Sequence, residues 1–209
     1  MTLPKIFASY DLIALNIVTR EDLARAASVA LSGARQAVLQ GGSSTSLESP
    51  DTRLHYRLMS GEMIADSLPW LYDMYRSTFC VMASRVYGQG MRVSPNMHNA
   101  INFNVVEGMG ARYEWHVDSN PLTGVLYFTD ASASTGGRLV FRGEGGADLL
   151  LPMRKGNLVL FDARNHAHAV EPLQTSQPRI CAPMNFFVES EEIERPQELD
   201  DYLYGETRS

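Results

Sequence analysis

Cysteine is scarce in this 209-residue chain: Cys80 and Cys181 are the only two. Both stand among apolar neighbours and are too few for a disulfide framework, so they read as buried, reduced thiols. A positive excess is missing as well, since 18 Lys and Arg stand against 24 Asp and Glu, a net charge of −6. A nucleic-acid partner, which selects for a basic patch or stripe, is therefore not expected. The longest apolar runs, such as the one around Leu149 to Pro152, fall far short of the roughly 20 residues that span a bilayer. The opening Met1-Thr2-Leu3-Pro4-Lys5 lacks the order of a signal peptide, a positive segment followed by an apolar one. The expectation is a cytoplasmic protein with no membrane partner. Internal repeats and low-complexity tails are absent too. At 44% hydrophobic, the chain is long enough for one well-buried core, and a single domain is expected over 1–209.

Three regions are visible along it. Residues 1–98 hold supporting strands and helices. Ile6 to Tyr10 and Leu12 to Val18 are apolar and partly β-branched, which predicts one or two short strands. Thr19 stands at an N-cap position with Glu21 and Asp22 in the first turn. The spacing of Leu23, Ala26, Ala27, Ala30, Leu31 and Val38 then predicts an amphipathic helix ending near Gly41-Gly42. Gly41 to Asp51 is a Gly- and Ser-rich connector, with a lid as the alternative. His55 to Met59 reads as a short strand, and Ser60 as the cap of a following turn or short helix. A second helix is expected from about Ser67 to Val86, closed by Gly88-Gln89-Gly90. Residues 99–189 change character. Ala100–Val106, Glu114–Asp118, Thr123–Thr129, Arg138–Arg142, Asp148–Pro152, Asn157–Asp162, Ala167–Glu171 and Arg179–Val188 are short, strand-like and separated by turn residues. That density predicts a mainly β fold with flanking helices (α+β), a jelly-roll core buttressed by the N-terminal helices. Residues 190–209 form a charged tail.

Within the β region, Tyr113-Glu114-Trp115-His116-Val117-Asp118 places a histidine and an aspartate two apart. On a strand these point to one face and start roughly 7 Å apart, close enough to converge on one cation. A third ligand is offered by His168, in Asn165-His166-Ala167-His168-Ala169-Val170-Glu171-Pro172, where His166 shares its side-chain parity. Two histidines and one carboxylate with open positions is the arrangement associated with non-haem Fe(II) oxygenases.

The order of motifs extends this. After His116-x-Asp118 come Gly136-Gly137-Arg138-Leu139-Val140-Phe141, then Gly156-Asn157-Leu158-Val159-Leu160-Phe161, then His168-Ala-Val-Glu-Pro172, then Arg179. From about Ala100 to Val188 the chain resembles the Fe(II)/2-oxoglutarate-dependent dioxygenases of the prolyl-4-hydroxylase-like branch. The first hundred residues carry no such resemblance. It implies a double-stranded β-helix core, with His116, Asp118 and His168 on iron. The Val-x-Pro spacing selects His168 over His166, which is left to a neighbouring or surface role. Arg179 is implied as the partner of the distal carboxylate of 2-oxoglutarate, a role suited to its planar fork. Asn102, Asn104 and Tyr127 are the further implied co-substrate contacts, and Trp115 and Tyr113 either shape the entrance or simply pack. His55 and His98 have no motif around them. The family often has Glu where Arg138 stands, and that arginine is either substrate-facing or a surface change. Asp118 is intact, whereas halogenating members carry a small residue there.

The cofactors implied are Fe(II), 2-oxoglutarate and O₂, with ascorbate as an optional reductant. The expected reaction is hydroxylation, or another oxidation, of an unactivated C–H bond of a small molecule such as an amino acid or natural-product intermediate, with release of succinate and CO₂. Two alternatives stay open: a prolyl or peptidyl hydroxylase, and a cupin-like metal enzyme that does not use 2-oxoglutarate. Oligomeric state is not set by the sequence.

Overall fold

The structure is a computed structural model that describes residues 4–37, 44–48, 56–143, 147–193, 196 and 198–199. The chain opens with β1 (Phe7–Asp11). Of the one or two strands expected over Ile6 to Val18 one forms, and Leu12 to Val18 is a turn. The Asp11 carboxylate accepts from the Ile13 and Ala14 N–H groups at 3.1 and 3.0 Å and turns the backbone, while Leu12 and Val18 are buried beneath it.

Helix α1 (Arg20–Gly33) starts as expected at Thr19. The Thr19 hydroxyl accepts from Asp22 N–H and the Asp22 carboxylate accepts from Thr19 N–H, both at 3.0 Å, closing a capping box. It ends well before Gly41. Arg57, far away in sequence, donates to the carbonyls of Leu31 and Ala34 at 2.9 and 3.2 Å and satisfies the helix end. The chain then turns into β2 (Arg35–Gln36), which pairs with β3 (Tyr56–Met59). The expected helix end near Gly41-Gly42, His55, and the connector's Gly41 to Ser43 and Ser49 to Asp51 lie outside the described residues.

Ser60 precedes α2 (Gly61–Ser67) without a side-chain cap bond. The expected second helix is interrupted. It runs as α3 (Pro69–Met74), a widened π turn at Tyr75–Phe79, and α4 (Cys80–Tyr87), and stops at Gly88 with φ 81°. Leu71, Tyr75, Phe79 and Ala83 are wholly buried along one stripe. Next come β4 (Met91–Val93) and α5 (Met97–Ala100). The short helix occupies the first residue of the expected Ala100–Val106 strand, because the Asn96 side chain caps it by accepting from His98 N–H at 3.1 Å.

The β region follows as β5 (Phe103–Val106), β6 (Tyr113–His116), β7 (Leu122–Tyr127), β8 (Leu139–Phe141), β9 (Leu149–Leu151), β10 (Asn157–Phe161), β11 (His168–Val170) and β12 (Arg179–Val188). Each of the eight expected strand segments carries one of them. Among the described residues one sheet has the order β1-β10-β7-β12-β5-β3-β2, with β4 also on β12, and the second has β6-β11-β8-β9. The strand pairs are antiparallel, and the two sheets form the double-stranded β-helix core. Among the described residues, no helix is long and apolar enough to cross a membrane.

Side-chain alternation divides the large sheet into two faces. Ile180, Ala182, Met184 and Phe186 of β12 pack with Leu122, Leu126, Leu158 and Leu160 against α1 and the α3–α4 stripe. The residues between them, Arg179, Cys181, Pro183 and Asn185, line a cavity facing the small sheet. Val125, Tyr127, Val159 and Phe161 from the large sheet meet Leu139 and Phe141 from the small one and close the core around that cavity.

Candidate active site

Strands β6 and β11 pair so that His168 lies opposite His116. Their ring centroids are 4.2 Å apart. Asp118 sits just past the end of β6, where its N–H donates to the Ala163 carbonyl at 3.0 Å. The strand expected to reach Asp118 thus stops at His116, yet the carboxylate still turns to the same point. One ligand atom from each of the three residues lies within 4.8 Å of the others. His116 Nε2 is 3.5 Å from Asp118 Oδ1, and His168 Nε2 is 3.9 Å from Oδ2.

Backbone carbonyls set the histidine tautomers. His116 Nδ1 bonds the Glu114 carbonyl at 2.8 Å and His168 Nδ1 bonds the His166 carbonyl at 3.0 Å. A carbonyl only accepts, so Nδ1 carries the hydrogen and the Nε2 lone pair faces the cluster. This is the orientation that metal-binding histidines need. His168 is wedged edge-on against Phe161, with ring centroids 5.0 Å apart. Burial, with the His116 ring beside it, pushes its pKa down to about 4 and keeps it neutral near pH 7.

Further along the same cavity is Arg179, 4% exposed. Its Nε donates to the Gly137 carbonyl at 2.9 Å, Nη1 to Cys181 Sγ at 3.0 Å and Nη2 to the Tyr127 hydroxyl at 3.3 Å. The guanidinium also stacks 5.2 Å from the Tyr127 ring centroid. Burial works against its charge, but the neighbouring thiol and phenol more than offset that, and its pKa lies above the usual arginine value. Burial pushes Tyr127 up to about 12 and raises Cys181 too, so both neighbours are neutral at pH 7. Among the described residues no carboxylate pairs with Arg179. A buried cation without a counter-ion costs several kcal/mol, and this end of the cavity is electrostatically suited to an anion.

The two glycines before Arg138 make room for that arrangement. Gly136 and Gly137 have φ of 69° and 71°. A Cβ on Gly137 would meet Leu173 at 2.9 Å and the Arg179 side chain at 3.1 Å, and one on Gly136 would strike the Pro172 carbonyl at 2.2 Å. Only glycine fits both the backbone and the approach.

Asn102 and Asn104 both line the cavity, as their shared strand parity implied. Their Oδ1 atoms are buried without a hydrogen-bond partner. Tyr127 is fully buried behind Arg179 and is not among the residues that line the cavity. Tyr113 lines it and packs on the His116 ring at 4.9 Å, whereas the Trp115 ring stacks under Arg142 at 4.5 Å. His166 points away and bonds the Asp162 carbonyl at 3.0 Å. His98 pairs with Glu62 at 2.9 Å. Arg138 makes a two-pronged ion pair with Glu171 at 2.7 and 2.6 Å, on β8's flank, and does not face the cavity.

Sequence reasoning missed Thr123 and Asn120, which stand behind Asp118. The Thr123 hydroxyl donates to Asp118 Oδ2, and Asn120 Nδ2 donates to Thr123 Oγ1 at 2.8 Å. The available signal was a lone threonine in the otherwise apolar start of Leu122–Tyr127, at the same parity as Val125. Also unforeseen is the way residues 44–48 of the connector lie along β6. Leu47 N–H donates to the Trp115 carbonyl at 2.8 Å, Val117 N–H to the Thr45 carbonyl at 3.1 Å, and Arg112 grips Glu48 with one bond of 2.6 Å and a second of 2.5 Å. Thr45 thereby reaches the cavity wall.

Residues 101–187 match the family model described as the 2OG-Fe(II) oxygenase superfamily. A comparison with curated protein sequences finds no significant match. Several solved structures share the fold. The epimerase SnoN in complex with Fe3+, alpha ketoglutarate and nogalamycin RO is 12% identical with a TM-score of 0.67, over 98% of this chain and 88% of that one. AviO1 from Streptomyces viridochromogenes Tue57 is 13% identical with a TM-score of 0.64, over 92% and 94%. A Pseudomonas putida prolyl-4-hydroxylase is 14% identical with a TM-score of 0.55, over 88% and 94%. Identities this low speak for the fold, and the family match speaks for the motifs threaded on it. The matched stretch, residues 101–187, holds His116, Asp118, His168 and Arg179 together.

Proposed function

We propose that this chain is a non-haem iron- and 2-oxoglutarate-dependent dioxygenase that hydroxylates, or otherwise oxidises, an unactivated C–H bond of a small-molecule substrate. The observation that carries this is the pairing, in one cavity, of a two-histidine, one-carboxylate cluster with a buried arginine that has no counter-ion among the described residues. A cupin-like metal enzyme has no use for that arginine. A dianionic 2-oxo acid does.

The donor set fits a divalent ion of intermediate softness with positions left open. His116 and His168 would offer Nε2 and Asp118 an oxygen. Arg179 would hold the distal carboxylate of 2-oxoglutarate through its unused Nη hydrogens, with Tyr127 and Gly137 fixing the guanidinium. Asn104, nine-tenths buried on the cavity wall, would donate to the co-substrate through its amide Nδ2, and Asn102 stands beside it on the same face. Iron with 2-oxoglutarate and O₂ supplies oxidising chemistry strong enough to remove hydrogen from a C–H bond, releasing succinate and CO₂. The protein's part is to orient the ligands, neutralise the co-substrate's charge and keep bulk water from the cavity, whose walls between the ends are Val125, Leu139, Phe161 and Val170. In this reading the chain acts as one unit, with residues 99–189 as the catalytic core and 1–98 as its support. Neighbours in fold that are named for epimerisation and prolyl hydroxylation leave the oxidation outcome to be decided by the product.

The test is anaerobic. Fe(II) and 2-oxoglutarate added to the purified protein are expected to give a visible charge-transfer band, absent with either alone and absent in His168→Ala. A panel of amino acids and natural-product intermediates is then screened for stimulated succinate formation, with ¹⁸O₂ to separate hydroxylation from other oxidations. No band, and no succinate with any substrate, would remove the proposal.

A further inference from the structure

Asp118 is the least confined of the three cluster residues. It lies beyond the end of β6, and a carboxylate can offer a cation one oxygen or two. What limits it is a buried hydrogen-bond chain. Asn120 is 1% exposed and Thr123 3%. Asn120 Nδ2 lies 2.7 Å from the Leu122 carbonyl. That carbonyl only accepts, so the amide nitrogen is fixed as the donor and the side chain cannot be turned over. The same nitrogen is 2.8 Å from Thr123 Oγ1 and must donate to it as well. Thr123 has one hydrogen of its own, and with its oxygen already accepting from Asn120, that hydrogen goes to Asp118 Oδ2. Each bond in the chain has one possible direction, and the end result is one committed carboxylate oxygen.

We infer that Asn120 and Thr123 are positioning residues that hold Asp118 to a single-oxygen ligand, Oδ1, and so keep an additional coordination position open at the metal centre. The inference rests on the proposed metal role of the cluster. Oδ1 is the oxygen nearer His116 Nε2, at 3.5 Å, and among the described residues it carries no hydroxyl contact. A freed Oδ2 would swing toward the same centre, 3.9 Å from His168 Nε2, and take up a position that co-substrate or O₂ needs. Thr123 sits on β7 opposite Asn185 of β12, in the middle of the large sheet, so the chain transmits the rigidity of that sheet to a residue on a loop.

The test uses the full chain and Co(II) as the probe, read by competition with a chromophoric chelator and by the visible spectrum of the Co(II) protein. Thr123→Val keeps the side-chain shape and removes the hydroxyl. It is expected to weaken Co(II) about 10- to 100-fold and to alter the spectrum as the carboxylate changes its mode of binding, while Thr123→Ser stays within about threefold of the parent. Should Thr123→Val melt far below the parent, Thr123→Ala against Thr123→Ser makes the same comparison. Unchanged affinity and an unchanged Co(II) spectrum without the hydroxyl overturn the inference and leave the metal centre standing. If instead the parent and His168→Ala bind Co(II) alike, the metal centre itself fails, and the positioning role with it.

Discussion

The two ends of the cavity are built on opposite terms. Around His116, Asp118 and His168, the outward-facing polar atoms are committed: two ring nitrogens to carbonyls, one carboxylate oxygen to Thr123. Around Arg179 the described residues leave bonds unmade, with a guanidinium lacking an acid and two asparagine oxygens lacking donors. In the proposed function the first end is arranged before its metal arrives, which lets it impose its own geometry on the ion. In the same proposed function the second would gain its counter-ion from the 2-oxo acid, so the ligand-free protein carries the cost of an unpaired charge.

The sharpest way to break this contrast is at Arg179. Arg179→Met is expected to lower 2-oxoglutarate affinity by about a hundredfold or more, since removing one partner of a desolvated charge pair costs roughly 2–5 kcal/mol. Metal affinity should hold, and the melting temperature of the ligand-free protein should not fall, because an unpaired buried charge has gone. Isothermal titration and thermal melts read both. A large drop in melting temperature with unchanged 2-oxoglutarate affinity would make the arginine structural.

The committed end is probed by pH. His168 titrates at about 4 in the folded, metal-free protein against an ordinary value of 6.5, so the unfolded chain takes up the proton first. Stability is whole above about pH 6.5, declines as pH falls and levels off below about pH 4, a loss of up to about 3 kcal/mol. Urea unfolding of metal-free protein at pH 7.5 and 5 measures it, and His168→Asn should flatten the slope. A smaller effect is expected at Asn104. Asn104→Leu should weaken 2-oxoglutarate about tenfold, the worth of one net hydrogen bond, without loss of ligand-free stability. Undiminished affinity would remove Asn104 from the co-substrate's contacts.

Much of this was legible because it depends on local spacing. His116 ends β6 with Asp118 two residues on, β11 presents His168 opposite, and alternation along β12 puts Arg179 inside. The misses share a cause: each depends on a partner remote in sequence or on the shape of a turn. The end of α1 is decided by Arg57 reaching its last carbonyls, which periodicity over Leu23 to Val38 cannot reveal. Arg138 gave no local sign that it would pair with Glu171. Thr123 and Asn120 are close to Asp118 in the chain, yet their role depends on how Ser119 to Leu122 turns, and turn geometry is not carried by hydrophobic pattern.

Residues 44–48 have a consequence of a different kind. β6 is the outermost strand of the small sheet, and a bare strand edge is a template on which another copy of a chain can grow a shared sheet. By pairing with Trp115 and Val117 and anchoring Glu48 to Arg112, this short segment occupies that template with the protein's own backbone. The strand bearing His116 thus has its edge hydrogen bonds taken up within the chain, by the same segment that brings Thr45 to the cavity wall.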